Sequence, residues 1–264
     1  MTVSTDKLIV DVSNGVGRLV LNQPEKHNAI SAQMWQGIAD AMRAFAADGA
    51  LRVAVLSGAG EKAFSAGADI SEFEAMRASS EAVESYDRMA HEAVESIVHL
   101  DKPTIAMIQG YCIGGGTELA LSCDLRIASQ DARFGIPAAR LGLAYRWQEV
   151  HPLVQLVGPS AAKEILFTGR QFSAEEALRM GLINQVVPRS ALASKVEEYA
   201  ERIAANAPLT IRAAKRTVAE AMKDPGARDL DTVREMVDAC FASDDYAEGR
   251  KAFMEKRPPE FKGR

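Results

Sequence analysis

The stretch DKPTIAMIQGYCIGGGTELALSCDLRI, residues 101–127, decides our interpretation of this chain. An apolar, β-favouring run at residues 104–108 breaks at Gly110 and leads through three glycines, 114–116, into the helix-favouring segment TELAL. Because glycine has no Cβ, a ligand can approach the main chain closely at such a turn. The predicted helix presents unpaired N–H groups and the positive end of its dipole to that ligand. The pattern therefore predicts a strand–turn–helix unit suited to a developing oxyanion.

A carboxylate accompanies this turn. Glu118 lies three residues beyond Gly115, so both fall on the same face of the predicted helix. An acid in the first turn of a helix also commonly does no more than complement the dipole, and the stretch alone leaves both interpretations open. The three glycines lack a following Lys-Ser/Thr and do not form G-x-G-x-x-G, which disfavours phosphate binding.

Composition limits the class of protein. A chain of 264 residues with 47% hydrophobic and 25% charged residues is typical of a globular protein with a substantial core. The net charge of −5 gives no basic surface for nucleic acid, and 3 cysteines do not form a disulfide framework. We find no signal-peptide core, no membrane-spanning apolar run and no histidine set for a metal, so we expect a cytoplasmic protein.

The N-terminal half alternates strands and helices. Asn14-Gly15 between two β-like runs predicts a hairpin, and Ser31 is a candidate cap for a helix with apolar residues at every fourth position. A buried strand at 53–56 precedes a loop of small residues, and a long helix is predicted over 81–99. Because strand, small-residue loop and helix then recur in the 101–127 stretch, we expect an α/β protein with its loops at one end of the strands.

The C-terminal half is predicted to be mostly helical. A turn at 134–137 precedes helix from Glu149 onward, with a capping box at 173–176 and a last short strand at 183–187. Proline-containing breaks at 207–208 and 224–226 divide the helices that follow. We expect a core domain over residues 1–195 and a helical region over 196–264.

Five ordered motifs resemble the crotonase, or enoyl-CoA hydratase/isomerase, superfamily, and they cover nearly the whole chain. They are LNQPEKHNA at 21–29, KAFSAGADI at 62–70, the unit from Gly110 to Asp124, FTG at 167–169 and AFMEKR at 252–257. The resemblance implies a crotonase-like spiral of ββα units followed by a C-terminal helical trimerisation region. It also implies a homotrimer or a dimer of trimers that acts on an acyl-CoA thioester, with coenzyme A as part of the substrate and no separate cofactor.

The resemblance implies roles for individual residues. The thioester oxygen would lie between the backbone N–H groups of Ala68 and Gly115, with Glu118 as acid or base. Preorganised donors of this kind stabilise an enolate-like state, and losing one costs roughly 100- to 1000-fold. The implied contacts to coenzyme A involve Lys26, Ala29, Lys62, Ala66, Asp69 and Ile70, together with Phe253 and Lys256 of a neighbouring subunit.

This sequence departs from the family pattern at two positions. Gln23 replaces an arginine that many relatives use near the CoA phosphates, and Lys26 is a candidate to compensate. Ala138 occupies the position of the second carboxylate of the double-acid hydratases. Hydration needs a proton at Cα and hydroxide at Cβ, and each acid–base group typically contributes ~100- to 10,000-fold. Glu149 is the nearby acid that could replace the missing one, and Trp147 is a further candidate pocket residue.

A decarboxylase is a second interpretation. Decarboxylation of a malonyl-type thioester needs no base at position 138, and Tyr145 matches a tyrosine of methylmalonyl-CoA decarboxylase-like relatives. Residues 138, 139, 143 and 144 would form an apolar wall against the carboxylate, and Arg146 is either its partner or a surface residue. An enoyl-CoA isomerase and a weakly catalytic CoA-ester-binding protein are further alternatives. We favour an enoyl-CoA hydratase-type lyase, with acyl-chain length set by residues 73–88.

Overall fold

The computed structural model describes residues 5–72 and 79–264. Its ten strands within those residues form two sheets. The larger sheet has the order β1-β2-β3-β5-β7-β10, and the smaller has the order β4-β6-β8-β9. The strands are β1 Leu8–Ser13, β2 Val16–Leu21, β3 Val53–Gly58, β4 Ala63–Ser65, β5 Thr104–Ile108, β6 Tyr111–Ile113, β7 Leu125–Ser129, β8 Arg133–Gly135, β9 Phe172–Ser173 and β10 Gln185–Val187.

The helices follow the strands in a regular order along the chain. The bounds are α1 Ala32–Ala47, α2 Ser80–Val98, α3 Gly115–Leu121, α4 Ala138–Leu141, α5 Trp147–Thr168, α6 Ala174–Arg179, α7 Arg189–Ala204, α8 Pro208–Ala221, α9 Leu230–Phe241 and α10 Asp244–Glu255. Three units repeat the sequence of two strands and a helix, namely β3-β4-α2, β5-β6-α3 and β7-β8-α4. In each unit the first strand joins the larger sheet and the second joins the smaller sheet. The predicted spiral of ββα units is confirmed.

Local sequence explains the first elements. Asn14 and Gly15 both have positive φ, 53° and 75°, as a two-residue hairpin turn requires, and β1 pairs antiparallel with β2. Ser31 caps α1 by accepting a hydrogen bond of 3.3 Å from the N–H of Met34. The predicted apolar positions of α1 are fully buried, and they are Met34, Ile38, Met42 and Phe45. They form part of the main core between α1 and the larger sheet.

Sequence reasoning placed some boundaries wrongly. The short strands of the smaller sheet were not predicted, and residues 134–135, expected in a turn, belong to β8. The last strand begins at Gln185 rather than at residue 183, because Ile183 is buried in the main core ahead of the strand. Strands of three residues carry too little periodicity to be recognised without their pairing partners.

The predicted domain boundary at 195/196 falls inside α7, which runs without a break from Arg189 to Ala204. Three residues of α7 lie in a second apolar cluster with strands of the larger sheet, and they are Leu192, Val196 and Ala200. The division into a core and a helical region stays a prediction. Among the described residues no helix has the length and apolar character needed to cross a membrane.

Candidate active site

The turn between β6 and α3 leaves the N–H of Gly115 free. Gly114 has φ 55° and ψ −122°, and its N–H donates to the carbonyl of Gly135 at 2.8 Å. The N–H groups of Thr117 and Glu118 both donate to the carbonyl of Gly114. Within residues 5–72 and 79–264, the N–H of Gly115 has no hydrogen-bond acceptor, as expected for the first residue of a helix.

The loop after β4 leaves a second amide free. Ser65 Oγ donates to the carbonyl of Asn28 at 2.8 Å and accepts from the N–H of Gly67 at 3.1 Å. Both main-chain groups of Ile30 form hydrogen bonds with this loop. Its N–H donates to the carbonyl of Gly67, and its carbonyl accepts from the N–H of Asp69. The intervening N–H of Ala68 therefore points away from these bonds, and it has no acceptor in the described part of the chain.

These two amides lie close together. A Cβ placed on Gly115 would lie 3.6 Å from the amide nitrogen of Ala68. A Cβ on Gly67, which has φ 97°, would lie 3.2 Å from the amide nitrogen of Gly115 and 2.8 Å from the carbonyl oxygen of Ile113. Glycine at position 67 is thus required both by its backbone conformation and by the close approach of the two segments. The result is a pair of free N–H donors that lie close together.

Both amides open into a cavity of about 570 Å³. The side chain of Glu118 lines this cavity, as do Trp35, Ala66 and Ile70. The facing side of α2 contributes residues at helical spacing, and they are Val83, Glu84, Tyr86, Asp87, Arg88, Ala90 and His91. The cavity thus combines two free main-chain donors with a carboxyl group, which is an arrangement suited to proton transfer next to an oxyanion.

Burial raises the pKa of Glu118 to about 8, and the negative charges of Glu149 and Asp87 act in the same direction. The carboxyl is therefore mostly protonated at neutral pH and able to donate a proton. Burial likewise raises the pKa of Tyr145, with smaller contributions from Glu118 and Glu149, so its phenol is neutral. A Cβ on Gly114 would lie 3.8 Å from the Tyr145 hydroxyl, which places this phenol beside the glycine turn.

The region after α4 closes the cavity. Ala138 is only 6% exposed and lines the cavity together with Leu143 and Ala144, as predicted, and Leu141 also contributes. Ala139 is exposed and does not line the cavity, because it is the outward-facing residue of the short helix α4. The predicted apolar wall is therefore correct except at position 139.

Charged groups lie at the start of α5. Glu149 lines the cavity, and its Oε2 accepts a hydrogen bond of 2.5 Å from the N–H of Arg146. The Arg146 side chain forms an ion pair with Asp87 of α2. Trp147 is 72% exposed, stacks on His151 and does not line the cavity. It is therefore not a pocket residue, contrary to the expectation from the sequence.

The candidate CoA-binding residues near the N terminus form one polar cluster. Asp69 is 4% exposed and accepts hydrogen bonds from Lys26 Nζ at 2.8 Å and Ser71 Oγ at 2.6 Å. Burial alone would raise the pKa of Asp69, but these hydrogen bonds and the charge of Lys26 lower it to about 2. Gln23 is buried and donates to the Asp69 carboxylate at 3.3 Å. Asp69 therefore holds the loop that carries Ala68, and Lys26 is partly engaged in holding Asp69.

The cavity lining includes neither Lys26 nor Asp69, and the remaining predicted residues also lie outside it. Ala29 is buried, and the Lys62 carbonyl accepts from the N–H of Tyr111 while its side chain is exposed. Phe253 is 83% exposed on α10, and Lys256 is exposed at the end of that helix. Of the candidate residues, the structure brings together Ala66, Ala68, Ile70, Gly115, Glu118 and Tyr145. Of the segment predicted to set acyl-chain length, residues 73–78 lie outside the described residues.

The described ranges contain no group of three or more His, Cys, Asp or Glu side chains arranged to hold a metal ion. The three cysteines are free thiols, and burial raises the pKa of Cys112 and Cys123 to about 12. Neither thiol is therefore a nucleophile near neutral pH. The chemistry of the cavity lies in its amides, carboxyl groups and phenol.

Known proteins resemble this chain over nearly its whole length. The family model described as enoyl-CoA hydratase/isomerase matches residues 11–264. The chain belongs to the enoyl-CoA hydratase/isomerase family. A short-chain-enoyl-CoA hydratase of Clostridium acetobutylicum is 35% identical over 98% of this chain and 99% of the relative.

Solved structures of this family have the same fold. An enoyl-CoA hydratase/carnithine racemase from Magnetospirillum magneticum is 36% identical, covers 99% of this chain and 97% of its own, and superposes with a TM-score of 0.93. An enoyl-CoA hydratase from Bacillus anthracis is 35% identical, with coverages of 98% and 100% and a TM-score of 0.90. The resemblance inferred from the five motifs is confirmed.

Several cavity residues of this family member were missed by sequence reasoning. Trp35 lines the cavity, its Cζ2 lies 3.6 Å from a Cβ on Gly115, and its Nε1 donates to the Tyr86 hydroxyl at 2.9 Å. Asp87 and His91 were also not singled out. The available signal was the spacing of residues 83, 86, 87, 90 and 91, which form one face of a helix with polar residues inside an apolar stripe.

Proposed function

We propose that this protein is an enoyl-CoA hydratase-type lyase that adds water across the double bond of a 2-enoyl-CoA thioester. The observation that carries the proposal is the proximity of the free N–H groups of Ala68 and Gly115, which line one cavity with Glu118. The relatives compared above, among them a short-chain-enoyl-CoA hydratase, support the same chemistry. No cofactor beyond the coenzyme A of the substrate is required.

In the proposed reaction, the thioester oxygen accepts hydrogen bonds from the amides of Ala68 and Gly115. These donors stabilise the negative charge that develops as the oxygen of water bonds to Cβ, because they are already oriented and partly shielded from solvent. Glu118 lies on α3 next to one of the two amides and serves as the acid–base group. The net result is hydroxide at Cβ and a proton at Cα.

The direct test is incubation of the purified protein with crotonyl-CoA, longer 2-enoyl-CoA esters and malonyl-type CoA esters, followed by mass spectrometry. We expect the enoyl esters to gain one water. The malonyl-type esters serve as the internal comparison. Absence of hydration across the whole enoyl panel would overturn the proposal.

The role of Glu118 is tested by Glu118→Gln, which keeps the size of the side chain and removes the acid–base group. We expect turnover of the best enoyl-CoA to fall by at least about tenfold, since one such group contributes ~100- to 10,000-fold. Affinity for the CoA ester, measured by calorimetry, should be retained. Unchanged turnover would remove Glu118 from the mechanism.

A second candidate is decarboxylation of a malonyl-type acyl-CoA such as methylmalonyl-CoA. Its support is the neutral phenol of Tyr145 beside the glycine turn, above the apolar surface of Ala138 and Leu143. Against it, the carboxylates of Asp87 and Glu149 line the same cavity and would repel a carboxylate substrate. Release of CO2 without hydration, retained in Glu118→Gln and lost in Tyr145→Phe, would favour this alternative.

We further propose that the protein is cytoplasmic and assembles as a homotrimer or a dimer of trimers through its C-terminal helices. Exposed apolar side chains on these helices support an assembled form, and they are Val218, Leu230, Phe241, Phe253 and Met254. In such an assembly Phe253 and Lys256 of one subunit would contact the coenzyme A bound to its neighbour. The mass of the native protein in solution tests the stoichiometry.

A further inference from the structure

The cavity lacks an acid at position 138 but contains others. Ala138 begins α4 and lines the cavity, so a carboxylate at this position would reach the same space as Glu118. Among the described residues that line the cavity, the other acids are Glu84, Asp87 and Glu149. Hydration involves two proton transfers, one from water and one to Cα. One of these three acids is therefore a candidate for the second transfer.

Two of the three acids are less suited to it. Glu84 is an exposed residue of α2, where water solvates its carboxylate. Asp87 is held by the Arg146 guanidinium in an ion pair, so its carboxylate already has a cationic partner. Removing a proton from water requires a carboxylate whose negative charge is less fully balanced by solvent or by a cationic partner than in Glu84 and Asp87.

Glu149 has the suitable geometry. Its Oε2 accepts the N–H of Arg146 at the start of α5, which fixes the carboxylate at the cavity. Its Oε1 makes no hydrogen bond within residues 5–72 and 79–264, and is therefore available to a water molecule. The side chain interacts electrostatically with Glu118, whose pKa it helps to raise. The two carboxyl groups thus interact electrostatically from different helices, Glu118 from α3 and Glu149 from α5.

We propose that Glu149 is the second catalytic carboxyl group and replaces, from α5, the acid that position 138 lacks. This inference rests on the proposed hydratase function. Glu149 removes a proton from water as the water oxygen bonds to Cβ. The electron pair of the Cα=Cβ bond shifts to form a double bond between Cα and the thioester carbon, and the carbonyl pair moves to oxygen as an enolate. Glu118 then gives its proton to Cα as the thioester carbonyl re-forms. One water is consumed, and the proton that Glu149 took returns to Glu118 through solvent.

The titratable and charged groups that face Glu149 come from several elements. They are Glu118 of α3, Asp87 and His91 of α2, and Tyr145 and Arg146 of the segment before α5. Burial raises the pKa of Glu149, and the Arg146 N–H hydrogen bond opposes this effect. Since Glu149 must be ionised and Glu118 protonated, kcat/KM should show an acidic limb from Glu149 and a basic limb from Glu118.

The test is Glu149→Gln, combined with Ala138→Glu. The glutamine side-chain oxygen still accepts the Arg146 N–H, so the helix cap and the folded state should be retained. We expect kcat for the best enoyl-CoA to fall by about 100-fold or more with KM changed little, and the acidic limb of kcat/KM to disappear. The double variant, with its acid moved to position 138, should recover at least about tenfold in kcat over Glu149→Gln.

Glu176→Gln is the matched control, because Glu176 Oε2 caps α6 by accepting the Ser173 N–H at 2.8 Å outside the cavity. It should leave kcat unchanged. A purely structural role of Glu149 predicts lost stability in Glu149→Gln and no rescue by Ala138→Glu, and either result would overturn the inference. Unchanged kcat in Glu149→Gln together with a large loss in Asp87→Asn would assign the role to Asp87 instead. If the wild-type protein hydrates no enoyl ester, the proposed function itself fails, which is a distinct outcome.

Discussion

Two acids of this protein, Asp69 and Glu118, have opposite protonation behaviour. Asp69 receives hydrogen bonds from Lys26 and Ser71, and its pKa is about 2 despite its burial. Glu118 makes no ion pair among the described residues and lies near two other acids, so burial raises its pKa to about 8. The Asp69 carboxyl group is thus a permanent anion that holds a loop, whereas the Glu118 carboxyl group is a proton donor. The difference arises from the burial, hydrogen-bond partners and neighbouring charges of each carboxyl group rather than from the residue type.

At the residue scale, this difference predicts how stability depends on pH. Between pH 4.5 and 8 the folded protein keeps the Glu118 proton that the unfolded chain releases, so Glu118 makes folding less favourable as pH rises through this interval. Glu118→Gln should therefore raise the free energy of unfolding at pH 8 more than at pH 5, as measured by urea unfolding at both values.

Asp69→Asn provides the comparison for this experiment. Because the folded-state pKa of Asp69 is about 2 against an ordinary 3.8, its contribution is complete above pH 3.8 and is lost as pH falls toward 2. The destabilisation by Asp69→Asn should therefore be the same at pH 5 and pH 8. A Glu118→Gln effect that is equally independent of pH would contradict the raised pKa of Glu118.

At the element scale, the site depends on the close approach of α3 to β4. A Cβ on Gly116 would lie 2.5 Å from the carbonyl oxygen of Ser65 and 2.8 Å from its Cβ. The far end of α3 is held by the buried Arg126, whose guanidinium donates to the carbonyls of Cys123 and Ala120. These contacts fix the helix at both ends, and with it the position of Glu118 relative to the free amide of Ala68.

Gly116→Ala should separate α3 from β4, because the added methyl group meets main-chain atoms that cannot rotate away. We expect a loss of about 1–3 kcal/mol in the free energy of unfolding. We also expect kcat/KM to fall by about tenfold or more, since a displacement of ~1 Å at an active site can cost ~100-fold. Unfolding and steady-state kinetics measure the two effects.

Gly49→Ala is the control, because nothing lies within 4 Å of a Cβ at that position. It should leave both stability and activity near the wild-type values. Wild-type kinetics in folded Gly116→Ala would show that the spacing of the two segments does not set the activity.

At the scale of the whole molecule, the spiral determines where loops meet. The parallel strands β4, β6 and β8 all run in one direction, so the segments that follow β4 and β6 come together at one end of the smaller sheet. Residues 65–69 and the glycine turn, which are 45 or more positions apart in sequence, become neighbours in this way. The terminal helices α9 and α10 instead expose large apolar side chains, with Phe253 at 83% and Met254 at 80%.

Phe253→Ala tests the proposed contact of this terminal helix with coenzyme A on a neighbouring subunit. We expect KM for crotonyl-CoA to rise about two- to tenfold with kcat nearly unchanged, because one aromatic contact is worth ~0.5–1.5 kcal/mol. Met254→Ala is the matched control, since Met254 is equally exposed and adjacent in sequence. Equal kinetic effects of the two substitutions would contradict a specific role for Phe253.

The sequence alone determined the features that depend on near neighbours. The Asn14-Gly15 turn, the Ser31 cap of α1 and the glycine turn before α3 could be predicted, because local backbone preferences and hydrophobic spacing specify them. The ββα order was implied by the resemblance to the family. The family motifs likewise pointed to Ala68, Gly115 and Glu118 before their positions were known.

Tertiary structure decided what depends on residues far apart in sequence. Only the packed chain brings Glu149, Asp87 and Trp35 into the cavity with Glu118, and only there does Ala139 turn outward and Trp147 stack on His151. The pKa values are likewise decided by the tertiary structure, since the charge of a carboxyl group depends on solvent and on partners that sequence spacing does not specify. The physical reason is that local interactions choose each element, whereas burial and charge at the site arise from the arrangement of all of them.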